Sequence, residues 1–182
     1  GEIVPDLAEK YNIGDSGKTY EFFLRKDLKW QDGEPLTADD VIFTINRIQN
    51  PDFRSPLRVN WIGIETEKID DFTIRFKMKT AYASFLANTT TGIIAKHIWE
   101  GIQPVNFSSA LENLEPIGAG PYKMDKIKKD KEGFITYVGL AAFGDYKSGR
   151  RPFIEKINLY FYPDEESAIK AYNRGQIDNL SL

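Results

Sequence analysis

Residue types that carry out chemistry are sparse in this chain. Among its 182 residues there is one histidine, His97, and no cysteine, so thiolate nucleophiles, disulfides, cysteine-bound zinc and iron–sulfur clusters are excluded. His97 lies in an apolar neighbourhood without a serine or aspartate at the spacing of a catalytic motif, which favours a structural or surface histidine. We therefore predict no catalytic residue, no metal site and no cofactor.

Three pairs of adjacent carboxylates could serve acid–base chemistry, but each has a simpler structural explanation. Asp39-Asp40 and Glu165-Glu166 fall in the first turns of predicted helices, and Asp70-Asp71 falls in a predicted hairpin turn. The glycines of Gly118-Ala119-Gly120 do not form a phosphate loop, because Pro121 removes a backbone amide and no Gly-Lys-Ser or Gly-Lys-Thr follows. Neither a glycosidase pair nor a nucleotide site is predicted.

The charge composition argues against a polyanionic partner. The formal net charge is -3, from 24 Lys+Arg and 27 Asp+Glu, so there is no global basic field to hold nucleic acid or an anionic membrane. One local cluster is basic, but three carboxylates interleave its five lysines, which is typical of a solvated hairpin face: Lys123, Lys126, Lys128, Lys129 and Lys131.

The periodicity of apolar residues predicts the elements that must position any site. Strands are predicted at 19–25, 62–69, 72–79, 122–128, 134–138, 154–162 and 177–180. Longer helices are predicted at 38–49 after the N-cap Thr37, and from Asp164 to Asn173. Shorter pieces are predicted at 81–88 (helix), 90–99 (strand and helix) and 107–114 (helix capped by Ser108 or Ser109). This order predicts an α+β fold with mixed β-sheets and short flanking helices.

Two long segments resemble a known protein family. The first contains LAEKY at 7–11, GKTYEFFLRKDLKWQDG at 17–33 and LTADDV at 36–41. The second contains PIGAGPY at 116–122, with Asp145-Tyr146 and Gly175-Gln176-Ile177-Asp178 further along. In order and spacing these phrases resemble the family 5 extracellular solute-binding proteins, the peptide, oligopeptide and nickel-chelate receptors of ABC importers.

The resemblance implies a two-lobed periplasmic-binding-protein-like fold of type II, cluster C. Residues 1–115 resemble the family's small extra domain and residues 116–182 part of its first lobe, so we expect the chain to be a fragment holding one wall of a ligand cleft. In similar proteins two regions approach the ligand: the irregular stretch near residues 58–61 and the loop at 89–91. The resemblance therefore implies five candidate ligand-binding residues, which are Arg58, Trp61, Thr89, Thr90 and Thr91.

The function implied by the resemblance is non-covalent transport binding rather than catalysis. The parent would bind peptides or similar small solutes in the periplasm or outside the cell, either free or as a membrane-anchored lipoprotein, and deliver them to a permease. The alternative is a solute-independent interaction or sensor module that keeps the fold. No membrane-spanning segment is predicted, and sheet edges left open near 154–162 or 177–180 predict self-association.

Overall fold

The structure, a computed structural model, describes residues 2–149 and 151–181. These residues separate into two compact units. The first unit is the chain up to Gly120 together with the short segment that starts at Asp145, and the second is Pro121–Gly144 together with the chain from Arg151. The α+β class is confirmed, and every strand pair among the described residues is antiparallel. Which parts of the family fold these units represent stays a prediction.

The first unit is built on a four-stranded sheet. Its strands are β1 (Ala8–Gly14), β2 (Thr19–Leu24), β3 (Ile64–Asp70) and β4 (Thr73–Met78), in the order β1-β2-β4-β3. The predicted hairpin of β3 and β4 is confirmed, and Asp70 stabilises its turn by accepting a hydrogen bond from the Phe72 backbone N–H at 2.8 Å. β1 was not predicted, because all but its first residue are exposed and its sequence lacks apolar alternation.

Helix α1 (Ala38–Gln49) covers the inner face of this sheet. It begins where predicted: Asp40 accepts the Thr37 backbone N–H at 2.9 Å, which satisfies a donor at the helix start. Its apolar residues recur at helical spacing, so Val41, Ile45 and Ile48 are buried on one side. The core that they share with the sheet also contains Trp30, Leu36, Ile74 and Phe76.

Three one-turn helices complete the first unit: α2 (Arg58–Trp61), α3 (Phe85–Asn88) and α4 (Lys96–Trp99). No strand forms in the described stretch 90–99, where one was predicted. The predicted helix at 107–114 is also wrong: two 3₁₀ turns, Pro104–Ser109 and Leu111–Asn113, stand there, and neither begins at Ser108 or Ser109. Contacts of Phe107 with Phe53 and Trp99, at ring-centroid distances of 5.0 and 4.6 Å, fix this segment.

The second unit contains a three-stranded sheet and one helix. Its strands β5 (Tyr122–Lys129), β6 (Ile135–Ala142) and β7 (Lys156–Tyr160) lie in that order, and α5 (Glu165–Asn173) follows. Asp164 caps α5 as predicted by accepting the Ser167 N–H at 2.7 Å, and Gly175 adopts a φ of 66° just after the helix.

The predicted strand at 177–180 is wrong, because no neighbouring strand of the described chain supplies the backbone bonds that a strand requires. β7 therefore remains an edge strand within the described residues. No helix in residues 2–149 and 151–181 is long and apolar enough to cross a membrane.

Candidate functional site

The two segments expected to form a cleft wall meet in the first unit. The side-chain amide of Asn88, at the end of α3, donates a hydrogen bond to the backbone oxygen of Asn60 in α2 at 2.9 Å. The rings of Trp61 and Phe85 also contact edge to face, with centroids 6.0 Å apart. α2 and the α3 segment therefore form one continuous surface, which we call the α2–α3 wall (residues 58–62 and 85–91).

Gln49, the last residue of α1, fixes α2 in place. Its side-chain Nε2 donates to the backbone oxygens of Trp61 and Ile64 at 2.7 and 2.6 Å. In return the Nε of Arg58 donates to the backbone oxygen of Gln49 at 2.8 Å. This arrangement orients the Arg58 guanidinium, whose two terminal nitrogens have no protein partner in the part of the chain that the structure describes. They could hold a carboxylate.

Trp61 supports the wall instead of lining it. Its side chain is 2% exposed and packs against Phe76 as well as Phe85, with the Phe76 ring centroid 5.7 Å away. The solvent-facing apolar side chains on this segment are Val59 and Ile62, which are 74% and 55% exposed. Sequence reasoning did not single out either residue, since an isolated exposed valine or isoleucine carries no signal on its own.

The three threonines that follow α3 use their hydroxyl hydrogens within the chain. Each hydroxyl donates to the backbone oxygen three residues earlier, at 2.7, 2.8 and 2.7 Å for Thr89, Thr90 and Thr91. These bonds satisfy carbonyl groups at the C-terminal end of α3. The hydroxyl oxygens are left as acceptors, so they can receive a hydrogen bond from a ligand N–H but have no proton to donate.

His97 has an acidic partner that the sequence did not reveal. Its Nε2 lies 2.7 Å from Oδ2 of Asp32, 65 residues earlier in the chain. Burial raises the pKa of Asp32, but hydrogen bonds from His97 and the Glu34 backbone N–H outweigh it, so the pKa of this carboxyl lies below its usual value. No hydroxyl of the described residues is hydrogen-bonded to His97, so the pair lacks the nucleophile of a catalytic triad.

Arg47 forms a second cluster that sequence reasoning missed. Its guanidinium lies between the rings of Phe43 and Phe53, 4.7 and 4.6 Å from their centroids. One terminal nitrogen donates to the backbone oxygen of Glu100 at 3.2 Å, so the cluster links the last turns of α1 to the end of α4. The Arg47 Nε is buried and has no hydrogen-bond partner among the described residues. We interpret this cluster as a structural cation–π contact.

The outer face of the first sheet has a shallow open groove of about 330 Å³. Arg75 in this groove is bonded to Glu21 at 2.7 Å and to Glu67 at 3.1 Å, and Lys77 is bonded to the same Glu67 at 2.8 Å. The hydrogen bonds that Arg75 donates to the Glu21 carboxylate hold the pKa of Arg75 above its usual value. Because the groove neutralises its own cations, it offers no free positive charge to a ligand. Within residues 2–149 and 151–181 no three His, Asp or Glu side chains cluster as metal ligands would.

Comparison of this chain with known proteins identifies the family that it matches. Residues 2–182 match the family described as bacterial extracellular solute-binding proteins, family 5 middle. The dipeptide-binding protein of Escherichia coli K12 is 30% identical over 184 residues, which are 90% of this chain and 33% of that protein.

Two solved structures are similar in fold and in sequence. AppA of Bacillus subtilis, an oligopeptide-binding protein solved with a nonapeptide, has a TM-score of 0.81 and 30% identity, over 94% of this chain and 34% of its own. NikZ of Campylobacter jejuni, solved with Ni(L-His), has a TM-score of 0.80 and 30% identity, over 96% of this chain and 34% of its own.

The matched region covers nearly all of this chain but only part of each relative. The chain spans about a third of the length of the relatives. The members of the family are transport binding proteins that act outside the cytoplasm, and they are not enzymes. The chain belongs to the bacterial extracellular solute-binding proteins of family 5.

Proposed function

We propose that the whole protein to which this chain contributes binds a peptide or a similar small solute and delivers it to the permease of an ABC importer. The match to the family over residues 2–182 carries this proposal. Peptides are the favoured solute class, because the relatives include a dipeptide-binding protein and a protein solved with a nonapeptide. The relative solved with Ni(L-His) defines the main alternative solute.

We assign residues 1–115 to the small extra domain and residues 116–182 to part of the first lobe. In this proposal the α2–α3 wall forms one side of the cleft. Arg58 would receive a carboxylate of the solute, while the Thr89, Thr90 and Thr91 oxygens accept its N–H groups. This assignment is supported by the terminal nitrogens of Arg58, which have no partner among the described residues, and by the lone pairs of the threonine hydroxyls. Val59 and Ile62 provide apolar surface beside them.

The transport step follows from the thermodynamics of closure. A solute that contacts both lobes binds the closed form more tightly than the open form, so it shifts the open–closed equilibrium toward the closed form. The closed form would then dock on the permease. Because no covalent step is involved, neither His97 nor any carboxylate pair is required.

The test is a thermal shift of the full-length protein with a pool of di- to hexapeptides, and with Ni(L-His) and oligosaccharides in parallel wells. Ligand at 100 times its Kd stabilises the native state by about 2.7 kcal/mol. Because the unfolding entropy grows with chain length, this raises the midpoint of a protein about three times as long as this chain by roughly 2–3 °C. A shift with peptides alone supports the proposal. No shift in any well would overturn it and favour the solute-independent interaction or sensor module.

Arg58→Gln tests the wall directly, with Arg54→Gln as the matched control. Arg54 lies four residues before Arg58, but it is exposed and no hydrogen bond holds its side chain among the described residues. Losing a charge-assisted hydrogen bond costs about 1.5–3 kcal/mol, so Arg58→Gln should weaken peptide binding roughly 10- to 100-fold by calorimetry. Equal affinities of the two variants would remove Arg58 from the site.

Two finer features belong to the same proposal. The parent is either freely periplasmic or lipid-anchored, and phase partitioning in a cloud-point detergent distinguishes these forms.

The isolated chain should self-associate through the open edge of β7, because unpaired N–H and C=O groups of an edge strand pair with another chain. A strictly monomeric chain at high concentration, measured by light scattering, would contradict this prediction.

A further inference from the structure

In the β5–β6 hairpin of the second unit, lysines that are interspersed with acidic residues in the sequence lie on one face of the sheet. Residues directly opposite each other in an antiparallel sheet lie on the same face. The register places Lys123 and Lys156 opposite Ala141, and Lys126 and Asn158 opposite Gly139. It also places Lys128 and Tyr160 opposite Tyr137. Because alternate residues of β6 share a face, six side chains lie together on what we call the lysine face: Lys123, Lys126, Lys128, Lys156, Tyr137 and Tyr160.

The carboxylates that separate these lysines in the sequence do not neutralise them. Asp130 is occupied in the hairpin turn, where its Oδ1 accepts the backbone N–H groups of Glu132 and Phe134 at 3.0 and 2.8 Å. Asp125 is the extra residue of a bulge between Met124 and Lys126. None of the four lysines of the lysine face forms an ion pair with a carboxylate among the described residues.

The tyrosines give this face an ordered aromatic centre. The Tyr137 ring lies across Gly139, where an added Cβ would come within 2.7 Å of the hydroxyl, and that hydroxyl donates to Oδ1 of Asn158 at 2.8 Å. The Tyr160 ring contacts the Tyr137 ring, with centroids 5.2 Å apart. The Lys128 ammonium lies 4.9 Å from the centroid of the Tyr137 ring. Tyr160 remains 49% exposed, so aromatic surface stays available between the lysines.

We propose that the lysine face docks the protein on an anionic phospholipid surface. Unpaired lysines are complementary to the negative lipid headgroups, and tyrosines are among the residues that favour the membrane–water interface. The four lysines are exposed on a single face of a sheet, an arrangement that suits a broad, flat partner. Docking would hold the protein close to the membrane, and it does not depend on which solute is bound. The overall charge of -3 does not oppose it, because charges beyond a Debye length of about 8 Å are screened at physiological salt.

The experiment is co-sedimentation of the full-length protein with vesicles of phosphatidylglycerol and phosphatidylcholine, compared with pure phosphatidylcholine vesicles. Each lysine near an anionic surface contributes about a fivefold increase in partitioning, so four predict partitioning into anionic vesicles about 600-fold above partitioning into neutral ones. Sedimentation should occur with the anionic vesicles at millimolar lipid and should be lost in 0.5 M salt. Absence of binding to anionic vesicles, or equal binding to both kinds, would overturn the proposal.

Two matched variants distinguish the effect of the lysine face on vesicle binding from the effect of overall charge. Replacing all four lysines of the lysine face by glutamine should lower partitioning by at least about 100-fold. The control replaces four exposed lysines of the first unit by glutamine, at Lys18, Lys29, Lys79 and Lys96, and should change partitioning less than about threefold. Equal loss in both variants, or none in the first, would overturn the proposal. Binding to a poly-glutamate peptide without binding to vesicles would also overturn it, since that result assigns the face to an acidic protein segment.

Discussion

The buried carboxylate of Asp40 should contribute more to stability than its exposed neighbour Asp39. Asp40 is 4% exposed, and its two oxygens accept the backbone N–H groups of Lys96 at 2.8 Å and Thr37 at 2.9 Å. One bond caps α1, and the other ties the start of α4 to α1. Asp39, in contrast, forms a surface ion pair with Lys68 at 2.7 Å.

The substitution Asp40→Asn keeps the shape but replaces one acceptor with an NH₂ group. One charge-assisted hydrogen bond is lost and one buried backbone donor is left without a partner, which together cost about 3 kcal/mol. For a chain of this size the midpoint should fall by roughly 6–12 °C. The matched control Asp39→Asn removes an exposed ion pair and should cost less than about 1 kcal/mol.

Tryptophan fluorescence is the appropriate probe for this comparison. All three tryptophans of the chain, Trp30, Trp61 and Trp99, lie in the first unit, so the signal follows the unit that contains Asp40. Thermal and urea unfolding of the two variants and the native chain give the differences directly. If Asp40→Asn loses no more stability than Asp39→Asn, the two hydrogen bonds do not have the assigned importance and the reasoning is refuted.

Three further predictions concern other parts of the chain. Phe85 is 0% exposed and contacts three aromatic rings, so Phe85→Ala should cost about 3–5 kcal/mol by urea unfolding, and a cost below about 1 kcal/mol would contradict its place in the core. The pKa of Asp32 is lowered, so its stabilisation is complete above the ordinary value of 3.8 and is lost as the pH falls through the folded value. Asp32→Asn should therefore flatten the acid limb of the stability profile, and an unchanged slope would contradict this. Gly133 has a φ of 92°, so Gly133→Ala should destabilise the second unit by about 1 kcal/mol in a thermal melt followed by circular dichroism, and a neutral result would contradict the assigned strain.

Elements with strong periodicity could be predicted from the sequence, and elements that depend on a neighbour could not. α1 has a cap and a regular apolar stripe, so its ends were predicted. β1 is exposed along nearly its whole length and exists because β2 supplies its backbone partners. The stretch 177–180 has the pattern of a strand but no partner in the described chain. In both cases pairing, not local pattern, decides the outcome.

The same distinction applies to the candidate site. The family resemblance selected two regions 30 residues apart, and the contact between Asn60 and Asn88 shows that they adjoin. The resemblance implied a ligand-binding role for Trp61, but its side chain is 2% exposed, because a large apolar indole fills the core behind the wall. The His97–Asp32 pair spans 65 residues and leaves no local signal. Lys123, Lys126 and Lys128 look balanced by acids in the sequence until the strand register places them on one face.

Small-angle scattering of the full-length protein with and without a peptide pool tests the central claim most directly. A solute-binding member of this family should become more compact when its lobes close over the solute, so the radius of gyration should fall on adding peptides and return after dialysis. A scattering curve that is unchanged by peptides, Ni(L-His) and oligosaccharides at saturating concentration would contradict the claim that the protein is a transport receptor.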